Sequence, residues 1–146
     1  MDADQRLISI GYEGRNAAEL IQRLKDQDVQ VLVDVRLTPL SRKKGLSKTA
    51  LSAALAEAGI RYVHHRQLGN PKDNRDDFRK GLATSRERYR DVLTGTDGSE
   101  ALRHVLELLG QESVALLCFE RDHDQCHRHM VAEALGSQRE ISLIQA

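Results

Sequence analysis

Five short apolar runs alternate with stretches of helical periodicity along this chain, and that alternation limits its fold more than any other feature. The runs are LISI (7–10), VLVDV (31–35), RYVH (61–64), VALLCF (114–119) and ISLI (141–144). Runs rich in Val, Ile and Leu suit strands covered on both faces, as in a parallel sheet. Between the first two, Asn16 caps a helix with Glu19 three residues on, and Leu20, Ile21 and Leu24 form its inner stripe. Ser47 starts a second helix carrying Leu51, Leu55 and Ala58, with Gly59 as its stop. Asp97 or Ser99 starts another, with Leu102, Val105, Leu106 and Leu109 ahead of Gly110. Asp124 starts the last, with Val131, Ala134 and Leu135 ahead of Gly136. The interval 66–96 holds the turn-rich LGNPKDNRDD and weaker helical spacing after it. It reads as a loop plus one or two helices crossing the sheet, either a lid or part of the core.

The expected fold is a single α/β domain over residues 1–146, long enough to bury a core without disulfide staples. It is a three-layer sandwich around a mostly parallel five-stranded sheet in a Rossmann-like order, 3-2-1-4-5, with extra helices inserted between strands three and four. Ligands of open α/β sheets bind beyond the carboxyl ends of the strands where the order reverses, here between strands one and four. GYEG (11–14) and ERDHDQCHR (120–128) would flank that point, with the loop from Arg36 next door.

Composition removes several classes of function. Lys plus Arg and Asp plus Glu both number 22, so any polyanion must be met by a local patch. No apolar run approaches the roughly 20 residues of a membrane span, and MDADQR has no signal-peptide pattern, so the expectation is a cytoplasmic protein without membrane contact. The two cysteines make no secreted disulfide framework, and in a reducing compartment both are expected as thiols unless they do chemistry. The five aromatics are few for a surface that stacks successive bases.

Candidate chemistry gathers at the strand ends. Gly11 and Gly14 bracket Tyr12 and Glu13 in a strand-to-helix turn, permitting close approach of backbone to a ligand ahead of free helix N–H groups, or serving only the turn. The stretch RLTPLSRKKGLSK (36–48), with Arg36, Ser41 and Arg42, has five cations and no acid: a phosphate grip or a solvated loop. Asp34 and Arg36 point to one side of the sheet, as a buried ion pair or a site pair in which Asp34 orients Arg36. With Asp124 as cap, Cys126 falls in a first helical turn, where the dipole and neighbouring cations favour thiolate; the alternative is a packing residue. His127 and Arg128 can donate to an anion, and His127 can carry a proton near neutral pH. Glu13 and Glu120 follow the two switch-point strands, so one could be a general base or bind a ligand hydroxyl, and either could equally be a helix-capping or solvated carboxylate. His64 and His65 end the third strand, at least one of them on the same rim, though a lone strand-end His is more often a hydrogen-bonded structural group, and Asn70 is held extended by Pro71. No metal is assigned, for no second short-spaced Cys or His pair faces Cys118 and Cys126. No cofactor is assigned either, and no dinucleotide fingerprint occurs.

Taken together, SIGYEGR, VLVDVRLTPLSRKKGLSK, GIRYVHHRQLGNP and ALLCFERDHDQCHRHMVAEAL resemble the bacterial DUF488 family over nearly the whole chain, block by block in order. The resemblance implies an α/β sandwich and a shared site, and it supplies no activity. The positions it picks out are Gly11, Tyr12, Glu13 and Gly14; Asp34, Arg36, Pro39, Ser41 and Arg42; Gly69, Asn70 and Pro71; and Cys118, Glu120, Cys126, His127 and Arg128. Leu46 stands where a phenylalanine is expected, which counts against a stacking role for that loop.

The leading expectation is a protein binding a phosphate-bearing ligand, a nucleotide or part of a nucleic acid, at the switch point, with hydrolysis or group transfer as its chemistry if it is an enzyme. A second is sulfur or acyl transfer with Cys126 as nucleophile. A third is a non-catalytic nucleic-acid-binding module using the 36–48 loop and the basic residues of 66–80.

Overall fold

The computed structural model describes residues 5–146; residues 1–4, the start of the stretch searched above for a signal peptide, lie outside the described residues. Five strands, β1 (Arg6–Gly11), β2 (Val31–Asp34), β3 (Arg61–His64), β4 (Val114–Cys118) and β5 (Ser142–Gln145), form one sheet in which every pairing is parallel. Six helices connect them: α1 (Ala17–Asp26), α2 (Lys48–Glu57), α3 (Arg75–Arg79), α4 (Ala83–Thr94), α5 (Thr96–Leu109) and α6 (Arg128–Gly136).

Period-two alternation along the strands divides the core. Ile8, Ile10, Leu32, Ala115 and Leu117 pack with Leu20, Leu24, Leu51 and Leu55 of α1 and α2. Leu7, Val31, Val33, Val114 and Leu116 pack on the other face with Tyr89 and Leu93 of α4, Val105 of α5 and Val131 of α6. Continuous apolar runs are what a strand buried on both faces requires. No helix among the described residues is long and apolar enough to cross a membrane.

The sheet order corrects the expected one: it is β3-β2-β4-β1-β5, so β4 and β1 exchange places relative to 3-2-1-4-5. The half-exposed strands, RYVH and SLIQ, still occupy the edges, where one flank needs no neighbour. The three strands buried along their length fill the middle. Hydropathy separates edge strands from central ones but does not rank three equally apolar strands among themselves. The exchange places β4 between β2 and β1, so the loops after all three meet over its end.

The helix starts follow local chemistry where a cap exists. The Asn16 side chain accepts from the Glu19 backbone N–H at 2.8 Å while Glu19 accepts from the Asn16 N–H at 2.9 Å, the reciprocal box expected for α1. Two starts are corrected. α5 begins at Thr96 after Gly95, not at Asp97 or Ser99. Asp122, not Asp124, is the capping acid before α6: it accepts from the Asp124 N–H and begins a 3-10 turn over His123–Gln125, and α6 itself starts only at Arg128. The interval 66–96 is part of the core, since Leu68, Phe78, Tyr89 and Leu93 are all buried.

Candidate functional site

Beyond the carboxyl ends of β1, β2 and β4 lies a cleft of about 250 Å³. Its walls come from Tyr12 after β1, from Arg36, Leu37 and Leu40 after β2, from Asn70, Arg75 and Arg79 after β3, and from Cys118, Phe119, Glu120 and His127 at the end of β4 and beyond. The loops are held in register by extensions of the parallel ladder. The Tyr12 N–H donates to the Cys118 carbonyl at 3.3 Å, the Glu13 N–H to that of Phe119 at 2.9 Å, and the Val35 N–H to that of Leu117 at 3.0 Å.

Asp34 and Arg36 meet as the two-residue spacing requires. Arg36 Nη2 and Nε lie 2.7 and 2.9 Å from the Asp34 carboxylate, Arg36 Nη1 lies 2.7 Å from the Leu46 carbonyl, and the Tyr62 hydroxyl donates to Asp34 at 2.6 Å. Burial alone would lower the Arg36 pKa, but hydrogen bonds to Asp34 and its charge more than offset that, and the guanidinium stands above its ordinary value. The Arg36 guanidinium also lies 5.3 Å from the Tyr12 ring centre, and Tyr12 meets Phe119 edge-on at 5.4 Å. Leu46 is buried, and the loop after β2 is anchored through its carbonyl.

The two glycines of the GYEG turn are required by the protein's own packing and backbone, while Tyr12 between them faces the cleft. A Cβ at Gly11 would lie 1.9 Å from the Glu120 carbonyl oxygen, so glycine is required where the chain crosses the loop after β4. Gly14, at φ 75°, occupies the left-handed region that favours glycine. Arg128 is fully buried, and its guanidinium donates to the carbonyls of Ile10 and Glu120, clamping β1 to the loop beyond β4. Burial lowers its pKa to about 10. Glu13 is exposed and accepts from the Arg121 N–H at 3.0 Å, again joining the two loops. Glu13, Gly14 and Arg128 thus lie outside the cleft lining. The α1 N-terminus is occupied by its own capping box.

Cys118 and Cys126 converge although eight positions separate them, and their sulfurs are bonded to each other in this structure, where a reducing compartment would leave two thiols. The cause is the 3-10 turn at His123–Gln125, which folds the chain back so that Cys126 comes against the end of β4. Cys126 therefore precedes α6 instead of sitting in its first turn. His127 Nδ1 lies 3.6 Å from Cys126 Sγ, and Nε2 lies 2.8 Å from the Val35 carbonyl. Burial holds the His127 pKa down to about 4, so its ring is neutral near pH 7 and is no cationic anion donor there. Glu120 Oε2 accepts from Arg79 Nε and Nη2 at 2.9 and 2.7 Å, and Glu120 Oε1 lies 3.7 Å from Cys118 Sγ.

Of the remaining expected residues, Asn70 is buried against Asn74 and lines the cleft. Ser41 and Arg42 do not: Ser41 stays within its own turn, exchanging hydrogen bonds with Ser47 and Lys43, and Arg42 is exposed. His64 Nε2 donates to the Arg36 carbonyl at 2.8 Å, and neither His64 nor His65 lines the cleft. Arg75 and Arg79 are cleft residues that the sequence placed only among the basic residues of 66–80, as part of a nucleic-acid surface. The signal was there in their four-residue spacing, which puts both on one side of a helix turn, inside a segment too polar to announce a helix.

The family model described as Domain of unknown function DUF488 matches residues 16–135. That range contains every strand-end residue of the cleft except Tyr12. No curated protein and no solved structure matches the chain.

Proposed function

Since the chain belongs to the DUF488 family, whose description assigns no activity, the reading rests on geometry, and we propose that the cleft binds a small phosphate-bearing ligand of nucleotide type. The observation that carries it is the meeting of three guanidinium groups, Arg36, Arg75 and Arg79, in one cleft of a chain with equal numbers of acidic and basic residues. Arg36 is matched by Asp34 and Arg79 by Glu120, while Arg75 has no carboxylate partner among the described residues. Its Nε is held by the Asn70 carbonyl at 3.2 Å, so the group is positioned as well as charged. Guanidinium forks suit phosphate oxygens.

The same lining includes apolar side chains that suit a ligand with an apolar or flat portion. Phe119 and Leu40 are exposed at 38% and 69%, unusual for large apolar side chains, and both line the cleft. Glu120 is the one carboxylate of that lining, and a ligand hydroxyl would donate to it beside Arg79. At about 250 Å³ the space lies just under the range of ~300–1,000 Å³ usual for ligand pockets, which favours one small ligand over a polymer.

A thermal-shift panel with inorganic phosphate, nucleoside mono-, di- and triphosphates, and unphosphorylated nucleosides tests this. A ligand at 100 times its Kd adds about 2.7 kcal/mol, a visible rise in Tm. The rise is expected with phosphorylated compounds, absent with nucleosides, and lost in Arg75→Ala. A panel with no shift, or a shift unchanged in Arg75→Ala, overturns the reading.

A further inference from the structure

We propose that Cys118, Cys126 and His127, closed by Glu120, form a site for one thiophilic divalent cation of the zinc class when the two sulfurs are reduced. The sulfur atoms and a ring nitrogen of His127 all lie within 4.8 Å of one another, and the three residues are buried. The histidine is prepared for such a role. A carbonyl only accepts, so Nε2, at 2.8 Å from the Val35 oxygen, carries the ring proton, and Nδ1 turns its lone pair toward Cys126 Sγ at 3.6 Å. A backbone carbonyl holding the far N–H is the usual outer support of a metal-binding histidine.

The carboxylate is prepared in the same way. Arg79 engages only Oε2 of Glu120, leaving Oε1 3.7 Å from Cys118 Sγ. The Arg128 N–H points at Cys126 Sγ from 3.5 Å, a donor that favours thiolate. Two sulfurs and one imidazole make a three-ligand cluster suited to zinc and foreign to calcium or magnesium, which prefer oxygen throughout; Glu120 Oε1 lies outside that cluster, near Cys118 Sγ, and moves in as the fourth ligand. Spacing along the chain gives no second short-spaced pair to face the cysteines; the third ligand is instead the residue beside Cys126.

The sulfurs are bonded in this structure, so the site forms on reduction. A dithiol delivers two electrons and two protons to the Cys118–Cys126 bond and itself closes to a disulfide. The cation then takes the place of the two thiol protons, which leave to solvent. The site shares Cys118, Glu120 and His127 with the cleft lining, but the proposal does not rest on the phosphate-ligand reading, because its readouts are metal retention and cobalt absorption with no phosphate ligand present.

The test uses the full wild-type chain in two forms under nitrogen, reduced with a dithiol and desalted, or left oxidised. Each is given zinc, passed through a desalting column and assayed for retained metal, with circular dichroism to verify folding. One equivalent in the reduced form and none in the oxidised form is expected. Cobalt in place of zinc should give thiolate-to-cobalt charge-transfer absorption, lost in Cys126→Ser and altered in its visible bands in Glu120→Gln. No retention by folded, reduced protein overturns the proposal, as does equal retention by both forms, which would put the metal elsewhere. Both of those outcomes are read on the wild-type chain, so they hold even where a cysteine variant fails to fold.

Discussion

Arg36 Nη2 lies 2.7 Å from Asp34 Oδ2 at the carboxyl end of β2, with the two side chains 6% and 0% exposed. Removing one partner of such a pair strands the other charge away from water, at a cost of about 3–5 kcal/mol. Arg36→Ala should lower stability by that amount in urea denaturation. A loss below about 1 kcal/mol would mean that water reaches Asp34 when the guanidinium leaves. Arg36 is therefore a poor control for ligand binding, and Arg75, half-buried and without an ion-pair partner among the described residues, is the better one.

Gly11 sets the distance between the turn after β1 and the loop after β4. Because an added Cβ would meet the Glu120 carbonyl at 1.9 Å and Arg128 Nη1 at 2.8 Å, Gly11→Ala must move backbone or break the Arg128 clamp. A destabilisation of about 3 kcal/mol is expected, at the upper end for overpacking. Gly59→Ala, where nothing lies within 4 Å of an added Cβ but φ is 79°, should cost less. Thermal melts of the two variants compare backbone collision with backbone conformation alone.

Arg79 and Glu120 balance each other in the cleft. With its side chain 41% exposed, Arg79 contributes at most about 1 kcal/mol to stability, but Arg79→Ala uncovers the Glu120 carboxylate as well as removing a cation. Phosphate-ligand affinity should fall more in Arg79→Ala than in Arg75→Ala and recover in part in Arg79→Ala/Glu120→Gln. Arg42→Ala, outside the cleft, should leave it unchanged. Isothermal titration of the four variants gives the comparison, and an equal loss in Arg42→Ala would move the site to the basic loop.

His65 Nε2 lies 2.8 Å from His104 Nδ1, with the rings edge-on at 4.9 Å. Burial lowers the His65 pKa below 6.5, and repulsion from His104 acts in the same direction. The unfolded chain then takes its proton at higher pH than the folded one, so this contribution to stability is complete above pH 6.5 and is lost as pH falls through the folded pKa. Melting temperature should drop between about pH 7.5 and about pH 5, the range in which histidines titrate, and His65→Gln should flatten the drop. An unchanged slope in His65→Gln would assign the acid sensitivity to other groups.

Much of the site was legible because strand ends are legible. Asp34, Arg36, Cys118 and Glu120 are each placed by counting along an apolar run, and their two-residue offsets fix which share a side. Their partners were not. Arg75 and Arg79 lie in a five-residue helix so short and polar that their four-residue spacing does not stand out, and they reach the cleft because the segment after β3 packs against the sheet through Leu68 and Phe78. Arg128 reads as an anion donor by composition, yet full burial turns all its guanidinium bonding toward backbone carbonyls.

Local sequence is enough for the α/β class, the five strands, the edge positions of β3 and β5, and the capped start of α1. Each of these follows from hydrophobic period, burial demand or a side chain within three residues, all quantities that a short window contains. Packing of the whole chain settles that β4 lies between β2 and β1, that Cys126 folds back to Cys118 with His127 beside it, and that Arg79 faces Glu120 with Arg75 in the same cleft. Those outcomes depend on which of several equally apolar surfaces cover one another, and no stretch of a few residues carries that information.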